Sequence, residues 1–120
     1  ASQLLSDGYV VICTAGTGNP FFTTDTAGCL RAIETQSSLM LKATRVDGVY
    51  SADPETNKDA VFYDSLSFDE AIQQNLKIMD ATALTLARDH SLPIKVFDFS
   101  KENALLDIAC GKSIGTLISS

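Results

Sequence analysis

Hydrophobic residues occur along this chain in two patterns: short continuous runs, and runs spaced three or four positions apart. Continuous runs rich in β-branched residues are typical of buried strands, whereas the spaced pattern is typical of helices with one apolar face. The predicted strands cover residues 9–15, 38–43, 61–63, 94–97 and 116–118. The predicted helices cover residues 24–35, 78–90 and 100–110, and a short helix begins at Ser67.

Polar residues at the helix ends support these boundaries. Thr24 or Asp25 can serve as the N-cap of the first helix, and Ser67 opens a capping-box pattern. Gly111 is typical of the residue that follows a helix C-terminus. Residues 45–60 contain Asp-Gly and Asp-Pro pairs and therefore read as a loop. Because strands alternate with helices, we expect an α/β fold with a mainly parallel sheet covered on both faces.

Composition and charge exclude several classes of function. The 120 residues suffice for one domain or part of one, and the formal net charge is −6 with no cluster of lysine or arginine. A nucleic-acid partner is therefore not expected. No apolar run approaches the ~20 residues of a membrane span, and no signal-peptide pattern is visible, so we expect no membrane partner and a cytoplasmic location.

The chain has three cysteines, Cys13, Cys29 and Cys110. They are widely spaced, are set among apolar neighbours and match no zinc-binding or CxxC spacing. We expect three reduced, mostly buried thiols.

The segment GTGNPFFTTDTA, which begins at Gly16, carries the clearest candidate chemistry. It lies where a predicted strand ends and a predicted helix begins, and free N–H groups and the helix dipole favour an anion there. Gly16 and Gly18 allow close approach of the backbone, and Thr23 and Thr24 supply hydroxyl groups. Asp25 repels a phosphate, so it more plausibly positions a lysine, a metal or an amide. The simpler alternatives are a tight turn and an acid that stabilises a helix N-terminus.

This segment and three others resemble the C-terminal half of bacterial-type uridylate (UMP) kinases, of the amino-acid kinase superfamily. The other segments are KATRVDGVYSADP at 42–54, KIMDATALTLARDHSLPIKVF at 77–97 and GTLIS at 115–119. The resemblance implies a carbamate-kinase-like, three-layer αβα sandwich with a mainly parallel sheet. Residues 1–120 would form the C-terminal, ATP-binding half and include the UMP phosphate loop at 16–25. The first half of such a kinase is not recognisable.

The resemblance also implies a role for individual residues. Asp25 would be catalytic, organising the centre by orienting a lysine. Thr44, Tyr50 and Asp53 would contact ATP, with Tyr50 beside the adenine where the family more often has Phe. No residue is implied as a metal ligand. The UMP-binding residues would be Thr17, Gly18, Asn19, Pro20, Phe21, Phe22, Thr23 and Thr24.

The activity implied by the resemblance is phosphoryl transfer from ATP to UMP, giving UDP and ADP, with Mg²⁺ bound to ATP. No general base is needed, because the attacking phosphate oxygen is already ionised. A homohexamer, activation by GTP and inhibition by UTP are implied as well. The chain alone is expected to be inactive, since the half that supplies the principal lysine is not recognised.

Two alternatives remain open. One is a non-catalytic nucleotide-sensing module. The other is an amino-acid kinase that acts on a carboxylate or carbamate, although those relatives lack the Asn-Pro-Phe-Phe acceptor loop.

Several charged residues have no firm role at this point. Lys77 and Asp80 can reach nucleotide phosphates, and Asp80 can instead cap the helix that follows it. Asp47 lies in a predicted turn. His90 ends a predicted helix, where it complements the dipole, and no catalytic role is expected for it.

Overall fold

The computed structural model describes all 120 residues, which form five helices and six strands. The helices are α1 (Ser2–Ser6), α2 (Thr24–Glu34), α3 (Phe68–Gln73), α4 (Ala81–Asp89) and α5 (Ala104–Ala109). The strands are β1 (Met40–Thr44), β2 (Val49–Tyr50), β3 (Phe62–Tyr63), β4 (Ser65–Ser67), β5 (Ile94–Asp98) and β6 (Thr116–Ser119).

Four strands form one sheet in the order β1-β5-β6-β4, and β2 and β3 form a separate antiparallel pair. Strands β1 and β5 are parallel, as are β4 and β6, whereas β5 and β6 are antiparallel. The sheet is therefore mixed but mostly parallel. The predicted α/β fold is confirmed.

The hydrophobic core lies on both faces of this sheet. On one face, α2, α3 and α4 pack over strand residues that include Ile94, Val96 and Ile118. On the other face, Phe97 of β5 packs against Ala104 and Ile108 of α5. Successive residues of a strand point to opposite faces, so β5 contributes to both clusters. Helices cover both sides of the sheet, as the alternating pattern predicted.

The predicted strand at residues 9–15 is wrong. Residues 9–14 form no strand, and Val10 and Ile12 are 94% and 85% exposed. A strand needs hydrogen bonds to a neighbour, and none of the backbone bonds in this chain joins this segment to the sheet. The apolar run alone therefore does not form the element that its composition favours.

The last predicted helix begins later than expected, at Ala104 instead of Ser100. The amide and the hydroxyl of Ser100 both donate to Asp98, which closes a turn, and Asn103 then adopts a left-handed φ of 61° before the helix. Helix α4 is also shorter than the predicted 78–90, because Asp80 caps it. The structure adds α1, β2 and β4, which were not predicted.

The thiols are free, as expected, but only Cys29 is buried. The prediction of mostly buried cysteines is wrong for Cys13 and Cys110, which are exposed. Cys13 lies in the segment without a neighbouring strand, and Cys110 follows the end of α5.

Gly115 makes the antiparallel contact between β5 and β6 possible. Its φ is +74°, and a Cβ atom there would lie 2.0 Å from the carbonyl oxygen of Val96. Any side chain at this position would therefore push the start of β6 away from β5. None of the helices is both long and apolar enough to cross a bilayer.

Candidate active site

The glycine-rich loop before α2 is exposed and sharply turned. Gly16 and Gly18 have positive φ angles of 60° and 75°, and nothing lies within 4 Å of the position of a Cβ atom on either. The glycines therefore serve the backbone conformation rather than close packing. The Thr17 hydroxyl closes a small turn by accepting a hydrogen bond from the amide of Asn19. Phe21 is fully exposed at the end of the loop.

The N-cap of α2 is Thr23, not Thr24 or Asp25 as predicted. The Thr23 backbone is extended, which lets its hydroxyl oxygen accept hydrogen bonds from the amides of Asp25 (3.2 Å) and Thr26 (3.5 Å). Thr24 is already within the helix. The loop of residues 16–23 therefore leads directly into the positive end of a helix dipole.

Asp25 forms an ion pair with Lys42 of β1. Both side chains are largely enclosed, at 22% and 23% exposed. Sequence reasoning required a cation beside Asp25 but assigned no role to Lys42. The sequence signal that could have identified Lys42 is its position within the mainly apolar predicted strand at 38–43.

Asp80 connects the start of α4 to the start of α2. It caps α4 by accepting a hydrogen bond from the amide of Ala83 at 2.8 Å. Its carboxylate also accepts hydrogen bonds from the hydroxyls of Thr23 and Thr26, the latter at 3.2 Å. Burial raises the pKa of Asp80, but the hydrogen bonds from Thr23, Ala83 and Thr26 outweigh it and bring the pKa below its usual value.

The carboxylates of this region also affect the buried thiol between them. Burial raises the pKa of Cys29 to about 11, and the negative charges of Asp25 and Asp80 add to the increase. Cys29 therefore stays protonated at neutral pH and acts as a core residue.

A cavity of about 430 Å³ lies at the carboxyl end of β1. Thr44, Tyr50 and Asp53, the three residues predicted to contact ATP, all line it. Residues 74–78 form part of the wall, and Lys77 is the only cationic residue in the lining. Ligand sites of α/β proteins are commonly located at the carboxyl ends of strands.

Hydrogen bonds and stacking hold the residues of this cavity in place. The Tyr50 hydroxyl donates to the Asp47 carboxylate at 2.9 Å, and this hydrogen bond raises the pKa of Tyr50. The Tyr50 ring meets Phe62 edge to face, with 5.2 Å between centroids. Thr44 donates to the carbonyl of Val46 at 2.8 Å, so that its hydroxyl closes the turn after β1.

The β2–β3 pair forms one wall of the cavity, and Thr116 connects this pair to the main sheet through hydrogen bonds. The fully buried Thr116 hydroxyl accepts from the amide of Val49 at 2.8 Å and donates to the carbonyl of Tyr63. Gly48 lies against this contact, because a Cβ atom there would be 2.5 Å from both Phe62 and Thr116.

The loop at 16–24 and the cavity are separate, but β1 links them. Lys42, which holds Asp25, and Thr44, which lines the cavity, are two residues apart on the same strand. Their side chains therefore point to the same face, with Cα atoms about 7 Å apart. The ion pair therefore joins the helix that follows the glycine-rich loop to the strand that ends at the cavity.

Residues 1–98 match the sequence model of the Amino acid kinase family. The chain is 57% identical over 118 residues to the uridylate kinase of Photorhabdus laumondii and 55% identical over 118 residues to that of Psychrobacter cryohalolentis. Each match covers 98% of this chain and 49% of the relative.

Solved structures agree with these relatives. The UMP kinase from Bacillus anthracis superimposes with a TM-score of 0.96 at 43% identity, over 98% of this chain and 49% of that one. The UMP kinase from Ureaplasma parvum gives 0.91 at 42% identity, over 98% and 51%. The chain therefore spans about half the length of the proteins that it matches.

Proposed function

Since the chain belongs to the amino acid kinase family, we propose that it forms the nucleotide-binding half of a uridylate kinase. That enzyme would transfer the γ-phosphoryl group of ATP to UMP, giving UDP and ADP. The observation that carries the proposal is the Asp25–Lys42 ion pair, which joins the helix after the glycine-rich loop to the strand that ends at the cavity. Uridylate kinases are also the relatives that resemble nearly the whole chain.

In this proposal UMP binds at residues 17–24. Its phosphate would meet the backbone amides of the loop and the positive end of α2. The Thr23 hydroxyl proton is already donated to Asp80. The phosphate therefore depends mainly on amides and on the remaining hydroxyls of the loop.

ATP would occupy the cavity lined by Thr44, Tyr50 and Asp53. A volume of about 430 Å³ lies within the usual range of roughly 300–1,000 Å³ for small-molecule sites. The Tyr50 ring, held by Asp47 and Phe62, supplies a rigid aromatic surface for a base. At the β1 end of the cavity, the phosphates would point toward Lys42.

Transfer between two anions depends on positioning and on neutralising charge. An oxygen of the UMP phosphate attacks the γ-phosphorus, and the bond to the β,γ-bridging oxygen breaks. Lys42 would stabilise the charge that develops on the transferred group. Asp25 would hold the ammonium group in place, and no general base is required.

In this proposal a magnesium ion arrives bound to ATP. No three His, Cys, Asp or Glu residues come together as a metal-binding group. Mg²⁺ in such sites is held largely by phosphates and water, with one or two carboxylates. Asp53 is the carboxylate in the cavity lining that could supply one ligand.

The resemblance assigns the principal lysine to the half of these kinases that is not recognised here, so we expect the chain alone to bind nucleotides without turnover. The homohexamer, GTP activation, UTP inhibition and cytoplasmic location belong to the same proposal. Light scattering with and without GTP or UTP tests the assembly and the effectors.

A chimera tests the proposed reaction. The chain replaces the corresponding part of the Photorhabdus laumondii uridylate kinase, and ADP formation from ATP and UMP is followed. We expect UMP-dependent turnover in the chimera, none in the chain alone, and a loss of at least about 100-fold in the Asp25→Asn chimera. Nucleotide binding without turnover in a folded chimera would favour a sensing module. Protection by acetylglutamate or aspartate, but not by UMP, would favour another amino-acid kinase.

A further inference from the structure

The Asp80 carboxylate accepts hydrogen bonds from the starts of two helices, α2 and α4. Both oxygens of Asp80 are used: Oδ1 accepts from the Ala83 amide of α4, and Oδ2 accepts from the Thr23 hydroxyl at the start of α2. The Thr26 hydroxyl lies 3.2 Å from Oδ1 and 3.4 Å from Oδ2. Thr26 is only 5% exposed, and Asp80 is the partner of its hydroxyl.

Capping alone does not require this arrangement. An N-cap needs one acceptor oxygen, which Ser, Thr or Asn supplies as well as Asp. The contacts to Thr23 and Thr26 instead join residues that are 57 and 54 positions away in the sequence. A charge-assisted hydrogen bond of this kind is stronger than a neutral one.

The network includes a residue of one proposed substrate site and adjoins, along the chain, a wall of the other. Thr23 belongs to the loop of residues 17–24, where UMP is proposed to bind. Residues 74–78, which line the ATP cavity, precede Asp80 in the chain. Asp80 thus accepts a hydrogen bond from the acceptor loop and is two residues away in the chain from the segment that forms a wall of the donor cavity.

We propose that Asp80 is a positioning residue that couples the two nucleotide sites, so that a nucleotide bound at one orders the other. This inference rests on the proposed function. UMP that fixes the loop at 17–24 fixes the Thr23 hydroxyl and, through Asp80, the turn at 74–80. ATP then binds a wall that is already ordered and loses less conformational entropy. The coupling is reciprocal, so ATP improves UMP binding by the same factor.

A pair of substitutions at Thr26 tests the hydrogen bond from its hydroxyl to Asp80. Thr26→Val keeps the volume and removes the hydroxyl, whereas Thr26→Ser keeps the hydroxyl. Titration calorimetry on the full chain measures the Kd of UMP with and without the magnesium complex of a non-hydrolysable ATP analogue. We expect the analogue to tighten UMP binding about fivefold in the unaltered chain and in Thr26→Ser. In Thr26→Val the factor falls to about twofold, because Thr23 still donates to Asp80, while the analogue alone keeps its affinity within about twofold.

Asp80→Ser gives an independent test, because serine still caps α4 but is too short to reach α2 as well. It should lose the coupling completely, because the Thr23 and Thr26 hydroxyls both lose their acceptor. Equal coupling in Thr26→Val and Thr26→Ser, or none in the unaltered chain, would overturn the proposal.

Hydrogen exchange without nucleotide separates this inference from the proposed function. Thr26→Val should speed exchange in residues 17–24 and 75–80 together, and Thr26→Ser should not. Faster exchange confined to the surroundings of residue 26 would refute the coupling. Failure of either nucleotide to bind would refute the proposed function, and the exchange pattern would still decide the coupling.

Discussion

Replacing Thr116 by valine should loosen the wall of the cavity without changing its shape. Valine has nearly the volume of threonine but neither accepts nor donates a hydrogen bond. The substitution therefore removes the bonds that Thr116 makes to the Val49 amide and to the Tyr63 carbonyl. Both bonds join β6 to the β2–β3 pair, so the change weakens the contact between these two sheets.

The size of the effect follows from the burial of these groups. Val49 is buried, and leaving its N–H without a partner costs about 1–3 kcal/mol. Tyr63 is half-buried, so water replaces part of its lost bond and the further cost is about 0.5–1 kcal/mol. The free energy of unfolding should therefore fall by about 1.5–4 kcal/mol.

Urea unfolding measures this loss, and Thr116→Ser is the matched control. The valine variant should lower the midpoint by about 1–2 M urea. Serine keeps both hydrogen bonds and loses one methyl group, which costs about 1 kcal/mol. Because Val49 and Tyr50 line the cavity, Thr116→Val should also weaken binding of the ATP analogue. A Thr116→Val chain within about 0.5 kcal/mol of the unaltered one would refute the reasoning.

Three further outcomes are expected. Lys77→Met should weaken ATP binding several-fold and leave adenosine binding unchanged, with Lys77→Arg restoring ATP affinity; equal losses for both ligands would show that the lysine acts through the fold. In a thiol titration of the native chain, Cys13 and Cys110 should react at once, and Cys29 only after unfolding, because burial raises its pKa to about 11. A third fast thiol would contradict this. The pKa of Asp80 is below its usual value in the fold, so its contribution to stability is complete above the unfolded pKa of about 3.9 and is lost as pH falls through the folded pKa. The stability gap between the chain and Asp80→Asn should therefore be wide at pH 7 and narrow at pH 3 in urea unfolding, and a constant gap would refute the assignment.

Elements with local chemical signals could be predicted from the sequence. The capping box at Ser67 and the N-cap at Asp80 form as their residue types favour. Strand β5 is rich in apolar residues, and it forms within one residue of the prediction. Neighbours within four residues determine the two caps.

Elements that depend on distant partners could not be predicted. Residues 9–15 have a strand-like composition but no neighbouring strand in this chain, so the local preference is not realised. Strand β4 is the opposite case, with only Leu66 apolar, and it forms because β6 lies beside it. Pairing across the sheet decides strands more strongly than composition does.

The candidate site divides in the same way. The sequence indicated Asp25 and its need for a cation, because a carboxylate beside a phosphate requires one. The identity of that cation depends on how α2 packs over β1, which brings Lys42 to Asp25 across 17 positions. The bonds from Thr23 and Thr26 to Asp80 span more than 50 positions and leave no local pattern.

The position of β6 in the sheet has a consequence for synthesis of the chain on the ribosome. Strand β6 is the last of the strands described, yet it lies between β5 and β4. Strand β4 and the β1–β5 pair are not joined to each other until residues 116–119 have emerged. Until then β4 and β5 each expose an unpaired edge, which is the feature that promotes association with other chains. We therefore expect the nascent chain to depend on chaperones until β6 has formed, and release from them to coincide with the insertion of β6.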